Sequence, residues 1–228
     1  FLLALLLVGL LVGVLGAGIE RVIFKPFQGD ELNGMIASLG LSIILVNLAL
    51  VIFGPSPWSV PGFVSGILRL GTIVLPWSRL AAFGLAVLVL VGFWAFIQFT
   101  KYGRAMRATV QDEQAAKLQG IDIDKIYPVA FGIGVGFAGI AGGIMGPLFA
   151  VDPFMGLTPL VKAFIVVIIG GLGSVPGAVI AGMGLGILES YSSTFLGAAV
   201  TDFLQFALVI IILLIRPTGL FGEIEAKP

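Results

Sequence analysis

The chain has 228 residues, of which 59% are hydrophobic and 11% are charged, and its mean hydropathy is +1.17. Soluble domains carry roughly a quarter charged residues, so this composition excludes an ordinary soluble domain and indicates a membrane protein. Zero net charge gives no reason to expect nucleic-acid binding, and the absence of cysteine and histidine excludes disulfides, Cys/His zinc sites and Ser-His-Asp catalysis.

Four segments are long and apolar enough to cross a membrane as helices. Crossing about 30 Å of hydrocarbon takes about 20 mostly apolar residues. Residues 1–18, 32–53, 80–100 and 128–150 meet this requirement. The first segment begins without Met and lacks a basic leader and a small-residue cleavage site. It therefore predicts a spanning helix of an N-terminally incomplete chain, not a signal peptide.

The two longest polar connections are expected on opposite sides of the membrane. Residues 53–80 contain proline, serine and two tryptophans, and tryptophan concentrates at headgroup level, so this stretch predicts an interfacial loop. Residues 101–127 hold five of the twelve basic residues. Because basic residues are retained on the cytoplasmic side, this loop is predicted to be cytoplasmic, as is the loop at 19–31.

Residues 111–122, QDEQAAKLQGID, are too polar to insert into lipid. Thr109 followed by Asp112 fits an N-terminal capping pattern, and Gly120 suits the left-handed position that ends a helix. The pattern predicts one surface helix of about ten residues, roughly three turns. It is either an ordinary loop helix or a contact for another protein, whose backbone could approach its alanines closely.

The apolar region 160–188 is interrupted by GGLGSVPG at 170–177. Glycine and proline disfavour a regular helix there, so we expect a break, with one unbroken helix as the alternative. A break places nine of the twelve basic residues on the cytoplasmic side. It also brings the C-terminus to that side, after a short apolar span at 200–215.

Candidate pathway residues come from two places. The break is either a tight cytoplasmic turn or irregular backbone that lines a solute pathway, and the second possibility makes Gly171, Gly173 and Ser174 candidates for pathway or gating residues. Asn47, in the second predicted span, needs a hydrogen-bond partner across the bundle or in a polar cavity. An interhelical bond is its ordinary explanation, and solute contact is the functional one.

Five glycines in the fourth predicted span recur at intervals of four, three, four and three residues, which places them on one helix face. They are Gly132, Gly136, Gly139, Gly143 and Gly146. A face of this kind lets another helix approach closely. We expect static tight packing, with helices that move past one another during transport as the functional alternative.

These patterns predict an all-α fold, a polytopic transmembrane helical bundle with a broken or re-entrant helix near 170–177. We expect a single domain over 1–228, with 101–127 as a cytoplasmic loop within it. No G-x-x-x-x-G-K-[ST] sequence occurs, so a nucleotide site of that type is not expected. No Ser-His, Asp-Asp or His-metal set lies in the spans, so we expect no catalytic, cofactor or metal residues.

Several motifs in order resemble one family. They are IERVIFKPFQG at 19–29, YGRAMRATVQDEQAAKLQGIDIDKIYPVAFGIGVGFAGIAGGIMGPL at 102–148, GLTPLVKAFIVVIIGGLGSVPGAVIAGMGLGILES at 156–190 and IRPTGLFGE at 215–223. Together they cover most of the chain and resemble the permease subunits of bacterial ABC importers for branched-chain amino acids, relatives of ribose-type sugar permeases. The resemblance implies a multi-pass permease domain in the bacterial cytoplasmic (inner) membrane.

The resemblance also implies a role for the polar loop. In such permeases a cytoplasmic Glu-Ala-Ala, three residues and Gly dock into a groove of the ATP-binding subunit. This chain keeps the two alanines and the glycine, but it has glutamine in the glutamate position and a glutamate one residue earlier. The residues implied in ATPase coupling are Arg104, Arg107, Glu113, Gln114, Ala115, Ala116 and Gly120.

The implied partners are ABC ATPase subunits that bind ATP and Mg²⁺, a second permease subunit, a periplasmic or extracellular solute-binding protein, and the lipid bilayer. The implied cargo is a branched-chain amino acid, in a largely apolar pore. Similar permeases move urea, short amides or other amino acids, so these cargoes stay open. An ion-coupled carrier is a further alternative, although such carriers often keep an intramembrane charge, which the predicted spans lack at mid-depth.

Overall fold

The computed structural model describes residues 1–28, 30–62, 64, 66–70, 73–171 and 173–222. The chain divides into two compact units, Phe1–Met155 and Gly156–Pro228. Among the described residues, five helices are long and apolar enough to cross a membrane. The all-α, multi-pass fold is therefore confirmed, and the single domain over the whole chain stays a prediction.

In the first unit, the long apolar segments form four helices. These are α1 (Leu2–Ile19), α2 (Glu31–Phe53), α3 (Trp77–Phe99) and α6 (Ile123–Met145). Each is 18 to 23 residues long, enough to cross the hydrocarbon at 1.5 Å per residue. Their side chains are largely exposed in the isolated chain, as expected for surfaces that face lipid or other subunits.

Part of the connection between α2 and α3 is a β-hairpin, which the sequence analysis missed. Strands β1 (Ile67–Leu70) and β2 (Ile73–Pro76) pair antiparallel, with Leu68 opposite Leu75. The sequence ILRLGTIVLP carries apolar and β-branched residues on both sides of Gly-Thr, a composition that favours strands. The prolines and tryptophans around it had suggested an irregular loop over all of 53–80.

Helix α1 ends at Ile19, within one residue of the predicted end of this span, but the helical segment does not stop there. It continues through a π-helical turn (Glu20–Phe24) and a 3-10 turn (Lys25–Phe27). The apolar helical segment therefore runs over Leu2–Phe27. The side chain of Glu20, in the first of these turns, is only 4% exposed and packs inside the unit.

Helices α1 and α6 pack antiparallel through glycines from both sides. A Cβ atom added at Gly132 would lie 2.7 Å from the carbonyl oxygen of Gly13, and one at Gly136 would lie 2.8 Å from that of Gly9. No side chain fits between backbones at such distances. Gly132 and Gly136 thus make the close helix contact expected of the glycine face, against Gly13 and Gly9 of α1, whereas Gly146 lies near Val151 instead.

The end of α1 and the start of α6 lie together. The Lys25 ammonium is 3.0 Å from the Asp124 carboxylate, in the first turn of α6. Both side chains are well exposed, so the pair adds little stability. It does place Lys25, in the connection at 19–31, at the same end of the unit as Asp124, in the segment 101–127.

The second unit contains α7 (Leu157–Gly170), α8 (Val175–Phe195) and α9 (Ala198–Ile215). Its buried core consists of Ile165, Ile169, Ala181 and Leu185. Helix α7 has 14 residues, fewer than a full membrane span needs. The interruption predicted near 170–177 is confirmed, because α7 ends at Gly170 and α8 begins at Val175.

The segment that follows α9 packs onto this interruption. The Leu220 amide donates to the Ile169 carbonyl at 2.8 Å, and the Phe221 amide donates to that of Gly170 at 3.2 Å. Gly171 adopts φ +94°, a conformation that L side chains rarely adopt. The end of α7, whose carbonyls lack helical partners, is therefore closed by the chain's own C-terminal region.

Candidate coupling segment and neighbouring clefts

The polar segment between α3 and α6 forms two short helices, α4 (Lys101–Gln111) and α5 (Glu113–Leu118). The expected cap Thr109 instead lies inside α4, where its hydroxyl donates to the Ala105 carbonyl at 2.9 Å. The prediction of one helix capped by Thr109 is wrong, because threonine can satisfy its hydroxyl on its own helix. Asp112 caps α5 by accepting a hydrogen bond from the Ala115 amide at 2.9 Å.

Gly120 ends α5 as predicted. Its φ is +81°, its amide donates to the Lys117 carbonyl at 3.0 Å, and the Ile121 amide donates to the Ala116 carbonyl at 3.1 Å. These two bonds form a Schellman motif, which requires a left-handed residue at the glycine position. The chain therefore reverses sharply after α5 and enters α6 a few residues later.

Glu113 ties α5 to the start of α6. Its carboxylate accepts hydrogen bonds from the Lys117 ammonium at 2.6 Å and from the Tyr127 hydroxyl at 2.9 Å. These donors, Lys117 first and Tyr127 second, lower the pKa of Glu113 below its usual value of 4.5. The charged form therefore supports this contact above pH 4.5, and the support is lost as the pH falls through the lowered pKa.

We expect Tyr127→Phe to loosen α5 from α6. The substitution removes one of the two donors, so the pKa of Glu113 should rise towards its usual value and amide hydrogen exchange in α5 should become faster. Exchange measured by mass spectrometry at neutral pH tests this, with the exposed Tyr191→Phe as a matched control. Equal protection of α5 in wild type and Tyr127→Phe would contradict the role of this hydroxyl.

The two predicted arginines anchor α4 to the end of α3. Arg107 donates to the Gln98 side chain and, at 3.4 Å, to the Gln98 carbonyl. Arg104 lies 3.5 Å from the Phe99 carbonyl, at the limit of a hydrogen bond. Cations at the C-terminal end of a helix compensate its free carbonyls and its dipole. The segment is thus attached to α3 at one end and to α6 at the other.

Exposure divides the predicted coupling residues. Ala116 is only 3% exposed and packs within the chain itself, so its side chain is not on the outer surface. Gln114 and Gly120 are exposed, and Ala115 is half-buried. Leu118, which was not among the predicted coupling residues, is 89% exposed on α5. A leucine within a mostly polar segment was the sequence signal that could have identified this residue.

The predicted residues of the interruption lie at its corners. Gly171 packs against the backbone of Gly222 and Thr218, and Gly173 has open space around it. The Ser174 hydroxyl caps α8 by accepting from the Gly177 amide at 3.1 Å. Two of the three residues thus have structural tasks, and a pathway role for any of them stays a prediction.

Asn47 bonds within its own helix. Its side-chain amide donates to the Ile43 carbonyl at 2.8 Å. The prediction that Asn47 needs a partner across the bundle or in a polar cavity is therefore wrong. Its side chain folds back and donates to the carbonyl four residues earlier in the same helix. The residue is exposed in the isolated chain, and its role in the solute pathway stays a prediction.

An apolar cleft of about 410 Å³ lies between α1, α3 and α6. Aromatic side chains of α3 and α6 line it, including Phe93 and Phe137, whose ring centroids are 4.7 Å apart. Glycines of the contact between α1 and α6 form its floor. Its size lies in the range of small-molecule sites, and its lining suits hydrocarbon groups.

A second cleft, of about 340 Å³, lies beside the end of α1 and contains Glu20. Glu20 was not among the residues predicted from the sequence. The signal in the sequence was that Glu20 is the first acidic residue of the chain and directly follows nineteen apolar residues. Among the described residues, no group of three or more acidic side chains is placed to hold a metal ion.

Comparison with known proteins places this architecture in a family. Residues 1–213 match the model of the family described as branched-chain amino acid transport system / permease component. No solved structure matches the chain significantly.

Three relatives illustrate the similarity. The chain is 33% identical over 219 residues to the high-affinity branched-chain amino acid transport system permease protein LivH of Escherichia coli K12, covering 93% of this chain and 71% of LivH. It is 32% identical to BraD, the corresponding permease protein of Pseudomonas aeruginosa, with the same coverage. It is 30% identical over 241 residues to a probable LivH of Methanocaldococcus jannaschii, covering 96% and 72%. With several spanning helices and a family match over nearly its whole length, the chain belongs to the permease components of branched-chain amino acid transport systems, a family of membrane transport subunits and not of enzymes.

Proposed function

We propose that this chain forms the translocation pathway of an ABC importer for branched-chain amino acids in the bacterial cytoplasmic membrane. Family membership over residues 1–213 supports the permease role, and the names of the relatives support the cargo. The apolar cleft between α1, α3 and α6 offers a surface for an aliphatic side chain. Urea, short amides and other amino acids are the alternative cargoes.

The segment 101–127 is proposed to dock onto an ABC ATPase subunit, which would supply ATP and Mg²⁺. The observation that carries this is the pair of polar helices α4 and α5, attached to α3 through Arg107 and to α6 through Tyr127. A force applied to α5 would therefore reach two membrane-spanning helices. This segment and the C-terminus are proposed to be cytoplasmic, with a second permease subunit and an external solute-binding protein as further partners.

Leu118 is the residue on which docking is best tested. Because Ala116 is buried, a bulky residue there would disturb the fold itself, whereas Leu118 is 89% exposed and contributes little to it. We expect Leu118→Asp to reduce ATP-driven leucine uptake by about tenfold or more, as for a buried apolar contact of an interface. Uptake into proteoliposomes that contain the whole transporter measures this.

The matched control is Val60→Asp, an exposed apolar residue in the connection after α2. Expression and melting temperature should be unchanged in both variants. Full ATP-driven uptake by Leu118→Asp would exclude docking at α5. Accumulation of solute by the permease alone, from an ion gradient without ATP, would instead support an ion-coupled carrier.

A further inference from the structure

Glu20 is a buried carboxylate with one oxygen unpartnered. Its side chain is 4% exposed, and its Oε1 accepts a hydrogen bond from the Gln28 amide at 2.9 Å. Its Oε2 is buried and has no hydrogen-bond partner among the described residues. An unpaired buried charge is costly, and an acid within a membrane-spanning segment commonly marks a functional site.

The backbone at Glu20 is also unusual. The residue opens the π-helical turn that ends α1. Such turns are rare and occur frequently at functional sites, because the extra residue re-aims the side chains beside it. Here the turn begins at Glu20, whose carboxylate lies inside the unit.

The cleft around Glu20 has the chemistry of a cation site. Its lining includes the rings of Phe24, Phe27 and Phe131 and a second carboxylate, that of Asp30. No lysine or arginine lies in this lining as far as the described residues show. The nearby Lys25 ammonium is paired with Asp124 on α6. A ligand here would therefore meet negative charge and aromatic faces but no positive partner.

We propose that this cleft binds a primary ammonium group carried on a short apolar tail. The ammonium has three donors, and Glu20 Oε2 offers an unused acceptor. Phenyl rings attract a cation over their faces, and a tail would lie among the same rings. A carboxylate would be repelled by Glu20 and Asp30, so the ammonium end is the one recognised.

The site is connected to the candidate coupling segment. The Tyr127 side chain lines the same cleft, and its hydroxyl donates to Glu113 of α5 at 2.9 Å. An occupied cleft should therefore restrain Tyr127 and slow amide hydrogen exchange in α5. This gives a readout within the protein that does not depend on transport.

Three ligands that share one branched carbon skeleton test the chemistry. The permease in lipid nanodiscs is titrated by calorimetry with 3-methylbutylamine, L-leucine and 4-methylpentanoate. We expect the amine to bind and the acid without an ammonium group not to bind. Leucine binding in competition with the amine would identify the cargo's own ammonium group as the ligand, and no competition by leucine would identify a free amine. Equal binding of the acid would overturn the proposal.

Two variants locate the site. Glu20→Gln keeps the shape but removes the charge, and we expect amine affinity to fall by about tenfold or more. Gly34 lines the cleft and has open space at its Cβ position, so Gly34→Leu should fill the cleft without a clash. The matched control is Gly40→Leu on the same helix, which also has open space but lies outside the cleft.

Gly34→Leu provides an independent test of the site, because it leaves Glu20 itself unchanged. If Glu20→Gln does not fold, Gly34→Leu alone decides. Unchanged amine affinity in either folded variant would exclude this cleft as the site. Because these titrations use the permease without ATPase subunits, their failure would leave the proposed transport function intact. Loss of ATP-driven uptake by Leu118→Asp, conversely, would not bear on amine binding.

Discussion

Gly136→Leu is expected to prevent stable packing of α1 on α6. A Cβ atom at Gly136 would lie 2.8 Å from the Gly9 carbonyl oxygen and 3.4 Å from the Gly13 Cα, so the obstacle is backbone and cannot rotate away. Overpacking an ordinary core costs about 1–3 kcal/mol, and we expect a loss at or above the top of that range. Detergent-solubilised yield and melting temperature measure it.

The same helix supplies the control. Gly134 has nothing within 4 Å of its Cβ position, so Gly134→Leu should leave the melting temperature nearly unchanged. Gly139→Leu should fall between the two, because the nearest atoms there belong to the Val12 side chain, 3.1 Å away, which can move. A Gly136→Leu protein that melts like Gly134→Leu would show that α1 and α6 are not in close contact.

Gly171→Ala is expected to open the corner between α7 and the segment after α9. The added methyl group would lie 2.7 Å from the Gly222 Cα, and the residue's φ of +94° is itself unfavourable for alanine. The conformational penalty alone is about 1–3 kcal/mol, and the backbone clash adds to it. We expect faster hydrogen exchange at Leu220 and Phe221, whose amides bond to the end of α7.

Gly173→Ala separates the two effects. Its φ is +82°, but open space surrounds its Cβ position, so alanine there meets the conformational penalty without the clash. Exchange at Leu220 and Phe221 should therefore change less than in Gly171→Ala. If both variants protect these amides equally, the C-terminal segment does not close the end of α7.

The spanning helices could be predicted because composition alone decides whether a long apolar run enters lipid. The interruption near 170–177 was also predictable, since four glycines and a proline within eight residues disfavour a regular helix. The C-terminal segment that covers it was not, because the amides of Leu220 and Phe221 meet α7 only in the folded chain.

The candidate site was predictable in outline and not in detail. Gly120 could be assigned because few residues tolerate its backbone conformation. Thr109 misled because a threonine suits a cap and a helix interior alike. Burial decided the remaining roles: Ala116 faces inward, Leu118 faces outward and Glu20 is enclosed, and residue type alone does not determine which way a side chain faces.

The glycine contact between α1 and α6 has a mechanical consequence. Carbonyl oxygens of α1 lie against glycines of α6 at successive turns. Two helices in contact along their length resist bending more than two helices that can slide past each other. The two helices should therefore move together as one rigid unit when a force acts on either of them. A displacement that begins at Glu113 would pass through Tyr127 into α6 and, through the glycine contact, into α1, so deformation would be concentrated in α2, which has few contacts with the rest of the unit.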